Sequence, residues 1–147
     1  MKLILAADHG GFELKNQVAA ALRHAGHTME DMGVHTKDSV DYPRIAESAV
    51  RRYFAEGFDF GVLFCGTGIG ISIAANKMHG VRCALVHDAF TAEMARAHNH
   101  ANFLAFGGRI QYPVPVAELI EIFMKTPPMG DRHERRVAQL QALDDAN

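Results

Sequence analysis

Short apolar runs alternate with amphipathic segments along this chain, and this alternation restricts the possible folds more than any other feature. Apolar runs predict five strands, at residues 2–7, 27–32, 62–64, 81–86 and 102–106. A segment with helical spacing of apolar residues follows each run. Parallel neighbours in a sheet need a crossover connection, which a helix supplies. The predicted fold class is therefore α/β: a doubly wound, Rossmann-like sheet of five parallel strands flanked by helices.

One further helix is predicted at about 131–143, after the last strand–helix unit. Its apolar positions are Val137, Leu140 and Leu143. So narrow an apolar face cannot pack a helix firmly against its own domain. We therefore expect residues 1–147 to form a single domain whose C-terminal helix docks on another subunit.

The net charge and the apolar content argue against two classes of partner. At 147 residues, with a formal charge of −2 and a pI near 6.5, the chain offers no electrostatic attraction to nucleic acid or to an anionic membrane. Its apolar stretches are too short to span a bilayer, and the N-terminus leads directly into a strand rather than a signal peptide. We expect a cytoplasmic protein whose partners are small molecules and copies of itself.

Polar side chains follow four of the predicted strands at the points where the strands end. In a doubly wound sheet, ligands bind at this carboxyl edge. The residues are Asp8 and His9 after the first strand, Cys65 to Gly70 after the third, His87 and Asp88 after the fourth, and Arg109 after the fifth. The sequence therefore predicts one cleft that gathers them.

The segment after the third strand carries glycine at three alternate positions, Gly66, Gly68 and Gly70. Bare backbone at the start of a helix can turn its N–H groups toward an anion, and Cys65 directly before it would be favoured as a thiolate. The pattern is typical of an anion site with a reactive thiol, although a purely structural turn is an alternative. A nucleotide-binding regulatory module is another, although the spacing GxGxG matches neither the dinucleotide nor the Walker fingerprint.

Basic residues supply a second candidate anion site. Arg132 and Arg136 are four positions apart on the last helix, so their side chains project from one side. With Arg109 they form a candidate clamp for a phosphate, because guanidinium groups bind phosphate oxygens in pairs. The alternative is a solvated helix face. A ligand with a phosphate at one end and a charge developing at the other would use both anion sites.

The nine histidines raise the question of a metal site, but none has the spacing of a zinc motif, so we expect no metal. A proton-transfer role suits His9 and His98, which flank the predicted cleft. A nucleophilic triad of Cys65, His98 and Asp8 can also be written, but chain order cannot test its geometry.

Several motifs are distinctive enough to compare with known families. They are Asp8-His9-Gly10-Gly11, Asp41-Tyr42-Pro43, the run CGTGIGISIAANK from Cys65 to Lys77, His98-Asn99, Phe106-Gly107-Gly108-Arg109 and Arg132-His133-x-x-Arg136. In that order they resemble the type B ribose-5-phosphate isomerases, a family shared with galactose-6-phosphate isomerase subunits. The resemblance covers nearly the whole chain. It implies an aldose–ketose isomerase of the pentose phosphate pathway, which interconverts ribose 5-phosphate and ribulose 5-phosphate without metal or organic cofactor.

The resemblance also implies roles for individual residues. Cys65 would move a proton between C2 and C1 of the sugar with Thr67 beside it, and Asp8 and His98 would assist ring opening. The enediolate oxyanion would be stabilised by the amides of Gly66, Thr67, Gly68, Ile69 and Gly70. The remaining contacts would be those of Asn99 with the sugar, and of His9, Arg109, Arg132 and Arg136 with the phosphate.

Relatives in this family are dimers or dimers of dimers, and His98, Asn99 and Arg109 would reach the partner's site. The resemblance therefore implies a homodimer, or a dimer of dimers, with a shared active site. Isomerisation of a six-carbon sugar phosphate, such as allose 6-phosphate or galactose 6-phosphate, remains an alternative. The chain also departs from many relatives by having His100 where they have Asp, which leaves a supporting role for an acid there in doubt.

Overall fold

The computed structural model describes residues 1–36 and 38–146. Within them it contains five strands and six helices. The strands are β1 (Lys2–Ala7), β2 (Thr28–Asp31), β3 (Phe60–Cys65), β4 (Cys83–Leu85) and β5 (Phe103–Gly107). The helices are α1 (Phe12–His24), α2 (Tyr42–Glu56), α3 (Ile69–Ala75), α4 (Ala89–Ala97), α5 (Val116–Lys125) and α6 (Arg132–Asp145). No helix in this part of the chain is long and apolar enough to cross a membrane.

The sheet has the strand order β2-β1-β3-β5-β4, and every neighbouring pair is parallel. The chain adds β2 on one side of β1 and all later strands on the other, so the order switches between β1 and β3. In register, Ala7 pairs with Phe64 and Cys65 pairs with Gly107. The carboxyl ends of β1, β3 and β5 therefore lie side by side. The doubly wound parallel sheet predicted from the sequence is confirmed.

Helices cover both faces of this sheet. Apolar side chains of α1, α4 and α5 pack on one face, together with strand residues such as Leu5 and Phe64. Helices α2 and α3 pack on the other face, against strand residues such as Ile4 and Leu63. Fully burying such a side chain stabilises the fold by roughly 1.5–3 kcal/mol. The central strands, which are buried on both faces, thus form a rigid base for the turns at their ends.

The element boundaries differ from the predicted ones by up to three residues, and the central strand β3, predicted over 62–64, extends over Phe60–Cys65. Strand β4, predicted over 81–86, contains only Cys83–Leu85. The Asn76 side chain accepts the Cys83 N–H and donates to the Cys83 carbonyl, both at 2.8 Å, so it occupies backbone groups that would otherwise pair with a further strand. Helix α2 begins at Tyr42 and carries Pro43 in its first turn, where proline is tolerated.

The C-terminal helix α6 is the least buried helix. Of its 14 residues, all of which the structure describes, only His133 is buried. Leu140 and Leu143 are 44% and 66% exposed. Near the end of the helix, the Asp144 carboxylate accepts the Gly80 N–H at 2.6 Å. The thin apolar contact predicted for this helix is confirmed, whereas its docking on a partner stays a prediction.

Candidate active site

The turn between β1 and α1 is built around the buried carboxylate of Asp8. Its Oδ1 atom accepts the N–H groups of Gly10 at 2.8 Å and Gly11 at 3.1 Å, and its own N–H donates to the Phe64 carbonyl at 3.1 Å. Gly11 has no room for a side chain, because a Cβ there would stand 2.5 Å from the Phe64 carbonyl carbon. The sequence therefore folds this turn tightly against β3 and places one carboxylate at the switch between β1 and β3.

The glycine loop, residues 66–70, follows directly on β3. The Cys65 side chain is only 4% exposed, and its Sγ atom accepts the Gly68 N–H at 3.1 Å. Gly68 has φ +79°, a conformation that L side chains rarely adopt, so glycine is needed where the loop turns into α3. The sulfur thus lies buried against the loop rather than exposed to solvent. A donated N–H at this point stabilises negative charge on the sulfur.

Two of the loop amides expected to face a substrate are engaged inside the loop. The Gly68 N–H donates to Cys65 Sγ, and the Ile69 N–H donates to the Thr67 hydroxyl oxygen at 3.3 Å. The Thr67 side chain is therefore held over the start of α3. Gly70 packs closely against the ring of Tyr42, since a Cβ on Gly70 would stand 2.7 Å from Tyr42 Cζ. This contact connects the loop to the first residue of α2.

Arg109 lies against the glycine loop of its own chain. The Gly108 N–H donates to the Cys65 carbonyl at 2.8 Å and the Arg109 N–H to the Gly66 carbonyl at 3.0 Å. A Cβ built on Gly66 would stand 3.5 Å from the Arg109 guanidinium carbon. Within its own chain the guanidinium therefore lies against Gly66, and the expected reach of Arg109 to a partner's loop stays a prediction. Its guanidinium adds a positive charge beside the predicted anion site.

Tyr112 is a neighbour of this loop that the sequence analysis did not single out. Its hydroxyl accepts the Gly107 N–H at 2.7 Å, and its ring meets Phe106 edge-on, with centroids 5.8 Å apart. Burial raises the pKa of the Tyr112 phenol, against the opposing effect of the hydrogen bond from Gly107. The phenol therefore stays protonated at neutral pH. No motif marks this residue, and its only signal is its position shortly after the end of β5.

His9 lies at the rim of the same group. Its Nδ1 atom accepts the Val40 N–H at 3.3 Å, which orients the ring toward the segment that precedes α2. The predicted contact of His9 with a phosphate stays a prediction.

A second group of predicted residues lies where α4 ends and α6 begins. His98 follows the last residue of α4, and its ring stacks face to face on the ring of His133, with centroids 3.9 Å apart and an angle of 10° between the planes. Arg132 and Arg136 are exposed on the same turn of α6. His98 and Arg132 thus both contact His133, and the predicted roles of His98, Arg132 and Arg136 stay predictions.

His100, the residue that departs from the family pattern, has a visible structural task. Its Nε2 atom donates to the Met129 carbonyl at 2.8 Å, while the Met129 N–H donates to the Ala97 carbonyl at 2.8 Å. These bonds fasten the segment before α6 to the end of α4. A carboxylate at position 100 could not donate to a carbonyl, so this contact depends on the histidine.

Asn99 borders a different space from Cys65. A cavity of about 440 Å³ lies between α6 and β4, and its lining includes Asn99, Arg82, Cys83, Leu140 and Leu143. Neither Cys65 nor the glycine loop is among the described residues that line it. The structure therefore joins Asp8, Cys65, the loop and Arg109 in one set of contacts, and places the His98 ring on His133 at the start of α6.

No group of three histidine, cysteine, aspartate or glutamate side chains that could hold a metal ion occurs within residues 1–36 and 38–146. The fold and the site together define a class of protein: an α/β protein whose reactive side chains and anion-binding backbone meet at the carboxyl ends of parallel strands.

Comparison with known proteins narrows this class to a family. Residues 3–140 match the family model described as Ribose/Galactose Isomerase, and the chain belongs to that family. It is 39% identical to a ribose-5-phosphate isomerase B of Mycolicibacterium paratuberculosis, over 93% of this chain and 87% of that protein. It is 34% identical to the Escherichia coli ribose-5-phosphate isomerase B, over 97% and 96% of the two chains. The structure of the Clostridium thermocellum ribose-5-phosphate isomerase B matches with a TM-score of 0.94 at 36% identity, covering 99% of both chains.

Proposed function

We propose that this protein interconverts ribose 5-phosphate and ribulose 5-phosphate, with Cys65 as the base and without a metal or organic cofactor. The observation that carries the proposal is the Cys65 Sγ atom at the end of β3, which accepts the Gly68 N–H of the glycine loop. Membership in the isomerase family supports the reaction class, and the names of its relatives support the substrate. The cytoplasmic location expected from the sequence remains a prediction.

The proposed reaction is an internal transfer of hydrogen. The Cys65 thiolate removes the proton from C2 of the open aldose, and the electron pair moves to the C1 oxygen to form an enediolate. The Cys65 thiol then delivers a proton to C1, the proton of the C2 hydroxyl passes to the C1 oxygen, and the C2 oxygen becomes the carbonyl. C2 is thereby oxidised and C1 is reduced within one molecule. A thiolate is too weak a base for such a carbon acid unless fixed donors meet the oxyanion, each contributing about 3–4 kcal/mol.

The donors in this scheme are fewer than the five loop amides predicted from the sequence. Because the N–H groups of Gly68 and Ile69 are engaged within the loop, the remaining amides of Gly66, Thr67 and Gly70 are the candidates for the oxyanion. The Arg109 guanidinium, next to Gly66, adds a charged donor on the same side. We assign ring opening to Asp8 and His98, and the phosphate to His9, Arg109, Arg132 and Arg136.

We further propose that the active site is shared between two copies of the chain. Among residues 1–36 and 38–146, no hydrogen bond or ion pair joins the glycine loop to His98, Arg132 or Arg136, and α6 exposes most of its length. A homodimer, or a dimer of dimers, in which one copy supplies His98, Asn99 and the α6 arginines to the Cys65 of the other would bring the two groups together. This arrangement would also cover the exposed apolar residues of α6.

The central test compares two cysteine variants. Cys65→Ala is expected to lower turnover of ribose 5-phosphate by about 10²–10⁴-fold, because it removes the proton-transfer group. Cys83→Ala is the matched control: burial raises the pKa of the Cys83 thiol, so it stays uncharged, and turnover should stay near the wild-type value. Exchange of the C2 hydrogen with deuterated solvent, followed by NMR, measures the same step directly. Full activity of Cys65→Ala would show that the base is a different group.

A substrate panel separates the proposal from its alternatives. The family description covers both ribose and galactose isomerases, so a six-carbon substrate is the second candidate. Ribose 5-phosphate, allose 6-phosphate and galactose 6-phosphate should be compared by kcat/KM after dialysis against EDTA, which also tests the absence of a metal. Calorimetric titration with ATP addresses the nucleotide-binding alternative. Higher kcat/KM for a six-carbon sugar, or tight binding of ATP, would overturn the assignment.

A further inference from the structure

His133 is the residue of α6 that the proposed reaction does not use and that the fold nevertheless buries. It is 5% exposed, although every other residue of this helix, all within the described chain, is partly or fully exposed. A lone buried imidazole on a polar helix needs partners for its ring and its nitrogens. Both partners it has here belong to the predicted active site.

The first partner is His98. The two imidazole rings are nearly parallel, with an angle of 10° between them and centroids 3.9 Å apart. Because His98 lies directly after the end of α4, its backbone is fixed by that helix, and its ring is fixed by the flat surface of His133. The side chain of the proposed ring-opening residue therefore has little freedom to rotate.

The second partner is Arg132. Its Nε–H donates to His133 Nε2 at 3.3 Å, so this ring nitrogen must carry a lone pair rather than a proton. Burial lowers the pKa of His133, and the nearby positive charges of His98, Arg132, Arg136 and His100 lower it further. The ring is consequently neutral at physiological pH. A neutral ring can accept from Arg132 and stack on His98 without charge repulsion.

The backbone around this cluster holds it in place. The Met129 N–H donates to the Ala97 carbonyl and His100 Nε2 donates to the Met129 carbonyl, each at 2.8 Å. The start of α6 is thereby fastened to the end of α4, which keeps His133 opposite His98.

We propose that His133 is a positioning residue that holds His98 by ring stacking and Arg132 by a hydrogen bond, so that the ring-opening group and the phosphate-binding group keep one fixed separation. The inference rests on the roles of His98 and Arg132 in the proposed function. One helix residue then sets the distance between the two ends of the sugar phosphate that the site accepts.

Two variants separate the two contacts. His133→Phe keeps a flat ring for His98 but cannot accept from Arg132, so KM for ribose 5-phosphate should rise about tenfold with kcat within about twofold. His133→Gln keeps an acceptor but removes the stacked ring, so kcat should fall about tenfold with a smaller change in KM. His79→Phe is the control, because His79 contacts Asp144 and Asp145 at the other end of α6. Its kinetics should match the wild type.

A double-mutant cycle tests whether His133 acts through Arg132. In the Arg132→Ala background, His133→Phe should raise KM no further, because the partner of the lost acceptor is already absent. If the fold-changes in KM of the two single variants multiply in the double variant, the proposal is overturned. It is also overturned if kcat falls and KM rises by the same factors in His133→Phe as in His133→Gln. Circular dichroism confirms that each variant is folded before its kinetics are compared.

A readout independent of catalysis distinguishes this inference from the proposed function. The NMR shift of the His98 ring protons should carry the ring-current effect of a stacked aromatic in the wild type and in His133→Phe, and lose it in His133→Gln. Inorganic phosphate should bind to the His133→Phe variant about as weakly as it binds to the Arg132→Ala variant. If the wild type does not turn over ribose 5-phosphate, the proposed function fails while these two measurements still decide the role of His133. Unchanged His98 shifts in His133→Gln would refute the stacking role.

Discussion

The glycine loop and the start of α6 carry the two halves of the proposed site, and they are held in opposite ways. The loop lies at the ends of strands buried on both faces, and backbone bonds from Gly108 and Arg109 fasten it to β5. The start of α6 depends on one buried ring and a few bonds from the preceding segment. The proposed reactive atoms thus lie on the rigid part of the molecule, and the arginines proposed to bind the phosphate lie on the less buried part.

The glycine loop is rigid because glycines let the turns after neighbouring strands pack closely against one another. A Cβ on Gly108 would stand 2.3 Å from the Gly10 carbonyl oxygen, and one on Gly107 would stand 2.7 Å from Thr67 Cα. The turns after β1, β3 and β5 therefore contact one another backbone to backbone. Regions with few buried apolar contacts open at lower free energy than such a core, so α6 is expected to open before the loop does.

The largest expected effect tests whether the two regions meet across subunits. Cys65→Ala and His98→Ala should each be nearly inactive alone. If the chains are co-expressed, mixed dimers contain one site with both residues intact, and total activity should recover to about a quarter of the wild-type value for random pairing in a C2 dimer. Turnover of purified mixed oligomers, separated by two affinity tags, measures this. Mixed oligomers as inactive as the parents would place both residues in one chain's site.

The next effect tests the rigid region. Gly68→Ala should destabilise the fold by roughly 2–4 kcal/mol, because the positive φ disfavours a side chain and the new Cβ meets backbone atoms of β5. Its turnover should fall about 100-fold as the N–H of residue 68 moves away from Cys65. Gly57→Ala is the matched control, with φ +64° and nothing within 4 Å of the new Cβ.

Gly57→Ala should lower the free energy of unfolding by only about 1–2 kcal/mol and keep its activity. Urea unfolding followed by circular dichroism gives both stabilities. Equal losses in the two variants would mean that the loop has room to relax.

A smaller effect tests the arginines of α6. Arg132→Ala and Arg136→Ala should raise KM for ribose 5-phosphate about 10–100-fold and change kcat by less than about threefold, because they bind a group that does not react. Arg135→Ala, exposed on the same helix, should behave as the wild type. Steady-state kinetics decide the matter. A fall in kcat as large as the rise in KM would show instead that the arginines stabilise the transition state.

The smallest effect concerns α4, the helix that His98 directly follows. The Asp88 carboxylate accepts the Thr91 N–H at 2.7 Å, and this bond lowers the pKa of Asp88 below its usual value. A lowered pKa in the folded state means that the stabilisation exists above the unfolded pKa and is lost as pH falls through the folded one. The melting temperature of Asp88→Asn should thus lie slightly below that of the wild type at pH 7, and the difference should shrink toward pH 3.

Asp41→Asn is the control, because Asp41 precedes α2 without a capping hydrogen bond from its side chain. Its melting profile should follow the wild type across the pH range. A difference that grows on acidification in Asp88→Asn would contradict the capping role.

The sequence alone determined the elements of this fold and much of the candidate site. Strand and helix patterns are local, because apolar spacing decides which side of each element can be buried, so β1 to β5 and all six helices could be predicted with small errors at their ends. The same local logic singled out Cys65, the glycine loop and the α6 arginines.

Only the tertiary structure decided what depends on contacts between distant segments. The strand order, the position of Cys65 Sγ against the loop and the attachment of Arg109 to its own chain's loop are set by packing across the sheet. Tyr112 carries no motif, and His133 lies within the Arg132-His133-x-x-Arg136 motif but received no role from the sequence. The stacking partner of His133, His98, lies in a distant segment of the chain. The spacing of residues within one segment carries no information about such neighbours, because the packing of the complete chain decides which distant segments meet.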